Sequence, residues 1–283
     1  GAAGGGKSDA VLMAALQYVD FPGYNAVIIR NSFANLSKPE GLIPRSHEWL
    51  AHTDAHWSGI HKRWFFPTQS NKVSLTSFGE VLPLPATLSF GHMDGPMAHF
   101  EYQSAAYQYV AFDELVQIPE NQAIYLFSRL RQLEDLPVPL RWRGASNPPA
   151  REQIATGAWV KKRYGIDKTS SRFGKVYKGR VFIPAKLKDN LSLNHESYIK
   201  SLMELDPVTR KQLLDGDWEV KVEGNMFKLE WFEKQIISRS MLPTDRKIVR
   251  AWDFAASEEL SSAFTAGVKM SRTPDGIYYI EDV

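Results

Sequence analysis

The chain has 283 residues, 43% of them hydrophobic and 23% charged, with a formal net charge of +2. That is enough apolar material for one large or two modest packed domains, and the near-neutral balance does not by itself point to nucleic acid. The absence of cysteine excludes disulfides and thiolate metal sites, and no apolar run reaches the length of a membrane-spanning helix.

The first eight residues spell Gly1-Ala2-Ala3-Gly4-Gly5-Gly6-Lys7-Ser8, the G-x-x-x-x-G-K-S pattern of a phosphate-binding loop. Gly1, Gly4, Gly5 and Gly6 let the backbone turn tightly and bring its N–H groups against phosphate oxygens. Lys7 supplies a point charge for the β- and γ-phosphates, and Ser8 a hydroxyl for Mg²⁺. From Ser8 to Val19, Val11, Leu12, Ala15, Leu16 and Val19 share one helical face. The loop is thus expected to open a helix whose N-terminus adds to the pull on anions. Such a loop normally follows a buried parallel strand, and here the chain opens on its first glycine. The sequence is therefore expected to be a piece of a longer protein.

Phe21-Pro22-Gly23-Tyr24 marks a turn. Asn25–Arg30 is a continuous apolar run suited to a buried parallel strand, and Arg30 lies at its end, where open α/β sheets place active-site residues. Residues 45–62 read as a helix carrying Trp49, Leu50 and Trp57. On it, His52 and His56 have i,i+4 spacing that could ligate a metal. No third ligand accompanies them, and surface histidines are the favoured reading. Residues 72–78 and 87–91 have strand character. Residues 107–115 form an apolar strand that ends in Asp113-Glu114, as a Walker B strand does. Asp113 would hold the Mg²⁺ shell, and Glu114 would orient and polarise the attacking water.

Residues 121–133 read as helical, and 139–145 as a strand followed by Ser146-Asn147-Pro148. Ser146 and Asn147 are placed to sense a γ-phosphate, or else form a plain Asn-Pro turn. Residues 151–188 hold eleven Lys/Arg against two Asp/Glu, net +9, with Trp159, Tyr164, Phe173 and Tyr177 interleaved. Residues 189–245 are net −4. The basic block is either a contact for a phosphate backbone or a solvated face. After it come strands at 248–254, 264–270 and 277–283, with a hairpin turn at Pro274-Asp275-Gly276. Three strands cannot bury a core without partners, so they read as the opening of a second domain.

In that order, the loop Gly1–Ser8, the strand ending Phe112-Asp113-Glu114-Leu115, Leu126–Arg131, Ser146-Asn147-Pro148 and Arg250-Ala251-Trp252-Asp253-Phe254-Ala255 resemble the large subunit of a tailed-bacteriophage terminase. The resemblance covers essentially the whole chain. It implies an α/β fold: residues 1–150 as a P-loop ATPase of the additional-strand, conserved-glutamate type, its mainly parallel sheet flanked by helices. Residues 151–245 would be a lid and linker, and 246–283 the first strands of a ribonuclease H-like nuclease. The implied activity is ATP hydrolysis driving double-stranded viral DNA into a procapsid, with a metal-dependent endonuclease in the complete protein. Lys7, Ser8, Asp113 and Glu114 carry over as ATPase residues, Ser146 and Asn147 as a coupling motif, and Asp253 as the first nuclease metal ligand. ATP and Mg²⁺ serve the first site, Mg²⁺ or Mn²⁺ the second.

The partners implied are DNA, the portal protein of the procapsid, the small terminase subunit and further copies in a ring, five being the expected number. The place of action is the host cytoplasm. The sequence departs from its relatives in the arginine that neutralises the transition state. Ala2, Ala3, Gly4, Gly5 and Gln103 occupy positions where relatives carry it, leaving Arg129, Arg131 and Arg30 as candidates in that order. Another P-loop enzyme, such as a helicase or nucleotide switch, and a DNA-binding module with a degenerate loop are the alternatives.

Overall fold

The structure is a computed structural model that describes residues 1–69, 73–75, 81–134, 136–150, 153–166, 175–218, 232, 235–254 and 265–283. It divides into two compact units, Gly1–Lys221 and Val222–Val283.

The first unit is built on a six-stranded sheet. The elements run α1 (Lys7–Ala15), β1 (Asn25–Arg30), α2 (Phe33–Leu36), α3 (Leu42–Leu50), β2 (His56–Ser58), β3 (Arg63–Phe66), β4 (Val73–Leu75), β5 (Val81–Pro83), β6 (Ala86–His92), β7 (Tyr109–Phe112), α4 (Glu120–Tyr125), β8 (Arg141–Gly144) and α5 (Ile154–Tyr164). A small hairpin, β9 (Lys175–Tyr177) and β10 (Arg180–Phe182), and helices α6 (His195–Met203) and α7 (Pro207–Asp215) follow. The strand order is β2-β3-β6-β1-β7-β8. β1 pairs in parallel with β6 and β7, and β7 with β8, while β3 and β2 add an antiparallel edge.

Strand β1 shows why the sheet forms where it does. Ala26, Val27, Ile28 and Ile29 are all buried. Their side chains alternate between two cores, as the period of a strand requires. Ala26 and Ile28 join Leu12, Ala15, Leu42, Trp64 and Leu88 on one face. Val27 and Ile29 join Phe112, Leu115, Val116 and Val160 on the other. A strand covered on both faces has no polar side, hence the unbroken apolar run. Because β1, β7 and β8 are parallel, their C-terminal ends, at Arg30, Phe112 and Gly144, lie along one edge of the sheet.

Two expected helices are shorter in the structure. The helix expected over 45–62 runs as α3 and ends at Leu50. Thr53 donates both its amide, at 3.1 Å, and its hydroxyl, at 2.9 Å, to the Leu50 carbonyl, closing the last turn. His56-Trp57-Ser58 then forms β2, where Trp57 packs on Trp64 and Phe90 with ring centroids 5.4 and 6.0 Å apart. His52 lies in the turn and His56 on a strand, so the i,i+4 metal pair does not exist. The helix expected over 121–133 is α4 plus a 3₁₀ turn, Leu126–Arg129. There the backbone leaves to pair with Tyr107, whose amide reaches the Arg129 carbonyl at 2.9 Å while the Arg131 amide reaches the Tyr107 carbonyl at 3.0 Å. That pairing outweighs continued helix. The strand expected over 72–78 is described only at Val73–Leu75, and Phe173 lies outside the described residues.

In the second unit β11 (Lys247–Asp253), β12 (Ala266–Arg272) and β13 (Tyr278–Asp282) form an antiparallel meander in that order. The turn before β13 is made at Pro274-Asp275, closed by the Gly276 amide on the Thr273 carbonyl at 3.0 Å, with Gly276 at φ 91°. Residues 255–264 lie outside the described ones. Glu281 is clamped by Arg246 at 2.7 Å and Lys269 at 3.0 Å, which hold its carboxyl down to about 2. Val249, Trp252 and Phe254 are exposed among the described residues.

Candidate nucleotide site

The loop Gly1–Ser8 runs directly into α1. Gly6 caps the helix with φ 71° and ψ 16°, a left-handed conformation that favours glycine, and no side chain caps the first turn. Its free N–H groups are therefore open to an anion. A Cβ on Gly6 would meet nothing within 4 Å, so the left-handed backbone alone accounts for this glycine.

Three strand ends bring the chemical groups to the loop. Lys7 Nζ donates to Asn147 Oδ1 at 2.8 Å, beyond the end of β8, and to the Ala2 carbonyl. Ser8 Oγ donates to Asp113 Oδ1 at 2.9 Å, just past β7. Arg30, at the end of β1, places Nη1 3.5 Å from the other oxygen of Asp113. The tips are tied together by backbone. The Asp113 amide donates to the Ile29 carbonyl, that of Ala145 to Phe112, and that of Leu115 to Ala145, all within 2.8–3.0 Å. Ser146 Oγ takes the Val116 amide at 3.4 Å.

Burial sets the electrostatics. It pushes the Asp113 carboxyl up, against the pull of Arg30, Ser8 and Lys7. It pushes Glu114 up as well, with the charge of Asp113 adding and Lys7 and Arg30 opposing. It lowers Lys7, opposed by Glu114 and then Asp113. Glu114 also sits at φ 53° and ψ 52°, a left-handed backbone uncommon for a residue with a side chain. A strained, shielded carboxylate of raised pKa beside a buried partner suits a base that takes a proton.

Mg²⁺ needs few protein oxygens, since waters and phosphates complete its octahedron. Ser8 Oγ and Asp113 Oδ1, already 2.9 Å apart, are hard oxygen donors of that kind. The donor set therefore fits the ion when it enters with a nucleotide. Among the described residues no group of three or more His, Asp or Glu gathers anywhere.

Residues 1–234 match the family described as terminase large subunit, T4likevirus-type, N-terminal. The chain belongs to this family. No curated protein matches it in sequence. Among solved structures, the large terminase of a thermophilic bacteriophage matches at TM-score 0.54 and 13% identity, covering 98% of this chain and 59% of that one. The same phage protein in complex with ADP matches at 0.55 and 14%, covering 100% and 62%. The chain thus spans about three fifths of the solved protein it matches. A further match, to the ATPase domain of the Thermus phage P74-26 large terminase, has TM-score 0.46 and 15% identity over 76% of this chain and 84% of that one.

Of the residues expected at the site, this terminase chain brings together the loop glycines, Lys7, Ser8, Asp113, Glu114, Ser146 and Asn147. Of the three arginines, Arg30 is the one set against Asp113. Arg129 instead lies over the Tyr125 ring at 5.4 Å and donates to Ser128 Oγ at 3.0 Å. Arg131 is exposed. Asp253 stands exposed at the end of β11 in the second unit, opposite Ala266. The sequence reading missed the outer wall of the loop. A Cβ on Gly4, whose φ is 67°, would lie 2.8 Å from Leu193 and 2.9 Å from Leu187. The amides of Ala2 and Ala3 donate to the carbonyls of Ala185 at 2.6 Å and Leu213 at 2.7 Å. Nothing in the net charge of residues 189–245 signals that this segment covers the loop.

Proposed function

We propose that this terminase chain carries the ATPase of a DNA-packaging motor, hydrolysing ATP to move double-stranded viral DNA into a procapsid. The observation that carries the reading is the Ser8–Asp113 hydrogen bond, which joins two motifs 105 residues apart at one metal-fitting point. The thermophilic phage terminase, solved with ADP and with ATP-gamma-S, supports a nucleotide at this loop.

The residues divide the work. The uncapped start of α1 and the loop amides hold the phosphates. Lys7 leaves Asn147 to meet the phosphate charge, and Asn147 and Ser146, tied to the strand end behind Glu114, register that departure. Glu114 orients the attacking water and takes its proton. Arg30 supplies the cation paired with Asp113. Mg²⁺ on Ser8 and Asp113 would offset phosphate charge when bound.

Residues 246–283 are proposed as the first strands of a ribonuclease H-like nuclease with Asp253 as a ligand for Mg²⁺ or Mn²⁺. Portal, small subunit and a ring of copies are the partners the reading entails. Phosphate release from Mg-ATP tests it. Wild-type protein should turn over, and Lys7→Ala should lose nucleotide affinity. Unchanged ATP affinity in that variant would count against the phosphate-loop reading.

A further inference from the structure

The phosphate loop has two sides. One opens beside the helix start at Gly6. The other is covered by residues 185–216 of the same unit. Leu187, Leu193 and Tyr198 close on Gly4, and Ala185 lies against Gly5. Within this cover Asn190 makes a polar contact with the loop. Its side-chain amide donates to the Gly4 carbonyl at 2.7 Å. Its Oδ1 accepts the Ser192 amide at 3.1 Å, which identifies the nitrogen as the group facing the loop. Its own carbonyl lies 2.5 Å from His195 Nε2, the first residue of α6.

The bond to Gly4 has a consequence through peptide geometry. The Gly4–Gly5 bond is trans, so the Gly4 carbonyl and the Gly5 N–H point in opposite directions from one plane. Pinning the carbonyl toward residue 190 aims the Gly5 N–H away from the cover. Among the described residues no acceptor takes that amide. Glycine on both sides of the peptide makes the plane free to rotate unless something holds it.

We propose that Asn190 is a positioning residue for phosphate binding: by holding the Gly4 carbonyl it presents the Gly5 amide to a nucleotide phosphate. The proposal rests on the nucleotide reading of this loop. Asn190→Asp keeps the shape and the Ser192 contact but sets an acceptor against the Gly4 carbonyl. Asn190→Ala removes the contact outright. The probes are Mg-ADP and Mg-pyrophosphate, measured by calorimetric titration, with thermal unfolding and steady-state ATP turnover alongside.

Asn190→Ala should weaken both probes by the same factor, roughly three- to tenfold for one hydrogen bond, and Asn190→Asp by at least as much, since its charge also opposes phosphate. The nucleotide-free protein should stay folded, its unfolding temperature lowered by no more than a few degrees for the lost hydrogen bond. KM should rise by the factor seen in binding, with kcat held, as loss of uniform phosphate binding requires. Wild-type affinity for pyrophosphate in Asn190→Asp would overturn the proposal. So would loss of the folded circular-dichroism spectrum in both variants, which would make Asn190 a folding residue instead. Failure of the wild-type protein itself to bind either probe would overturn the nucleotide reading, and the wild-type control tells that case apart.

Discussion

Replacing Glu114 by Gln should move two observables in opposite directions. Turnover should fall, because the amide keeps the shape of the carboxylate but cannot take a proton from water. The expected loss is at least about 10²-fold, equivalent to roughly 2.7 kcal/mol of barrier. Stability should rise. Burial, and then the neighbouring charge of Asp113, hold the Glu114 carboxyl above its ordinary value of 4.5. The folded protein therefore binds that proton more tightly than the unfolded chain does. The stabilising contribution is complete below about pH 4.5 and is lost as pH rises through the raised folded-state value. At neutral pH the carboxylate charge, buried and set beside Asp113, works against folding. A neutral amide has no such opposition. The Gln variant should therefore melt above wild type at neutral pH, and the gap should close in acid. Phosphate release, titration with a fluorescent ATP analogue and thermal unfolding across pH measure the three quantities, with ATP affinity expected to hold. Near-normal turnover, or a variant that melts below wild type at neutral pH, would refute the reasoning.

Arg30→Ala should destabilise the fold by about 1–3 kcal/mol, less than a fully buried pair would, since the Arg30 side chain keeps 23% exposure. It should also move the acid limb of the ATPase pH profile upward, because Asp113 loses the first of the influences that pull its pKa down; an unmoved limb would separate Arg30 from the site. Lys161→Ala with Lys162→Ala should weaken DNA binding across sequences and flatten its salt dependence. Arg163 is best left in place, since it lies over the Phe127 ring at 5.2 Å and pairs with Glu120 at 3.9 Å; an unchanged salt slope would make the block a solvated face. In the nuclease-competent protein, Asp253→Ala should abolish metal-dependent cleavage while ATP turnover holds, and cleavage surviving with Mg²⁺ or Mn²⁺ supplied would remove the nuclease assignment from this strand.

The amino-acid sequence by itself determined whatever rests on local pattern. A glycine-rich loop ahead of Lys7-Ser8 can do little but turn and open a helix. An apolar run such as Ala26–Ile29, with no polar alternation, is fit only for a strand covered on both faces. Asp113 and Glu114 follow such a run, and strand ends are where side chains escape the core. Helix boundaries were less legible, because the forces that ended α3 and α4 act across the fold: the packing of Trp57 against Trp64, and the pairing of Tyr107 with the chain at 129–131. What only the tertiary structure decided is which distant groups meet. Strand order, invisible in a sequence, sets β1 beside β7 and so chooses Arg30 over Arg129 as the cation facing Asp113. Parallel pairing of β7 with β8 brings Asn147 to Lys7 across 140 residues. The contact of Asn190 with Gly4 spans 186 residues and leaves no periodicity to read, because it depends on one side-chain amide reaching one carbonyl after both segments have packed.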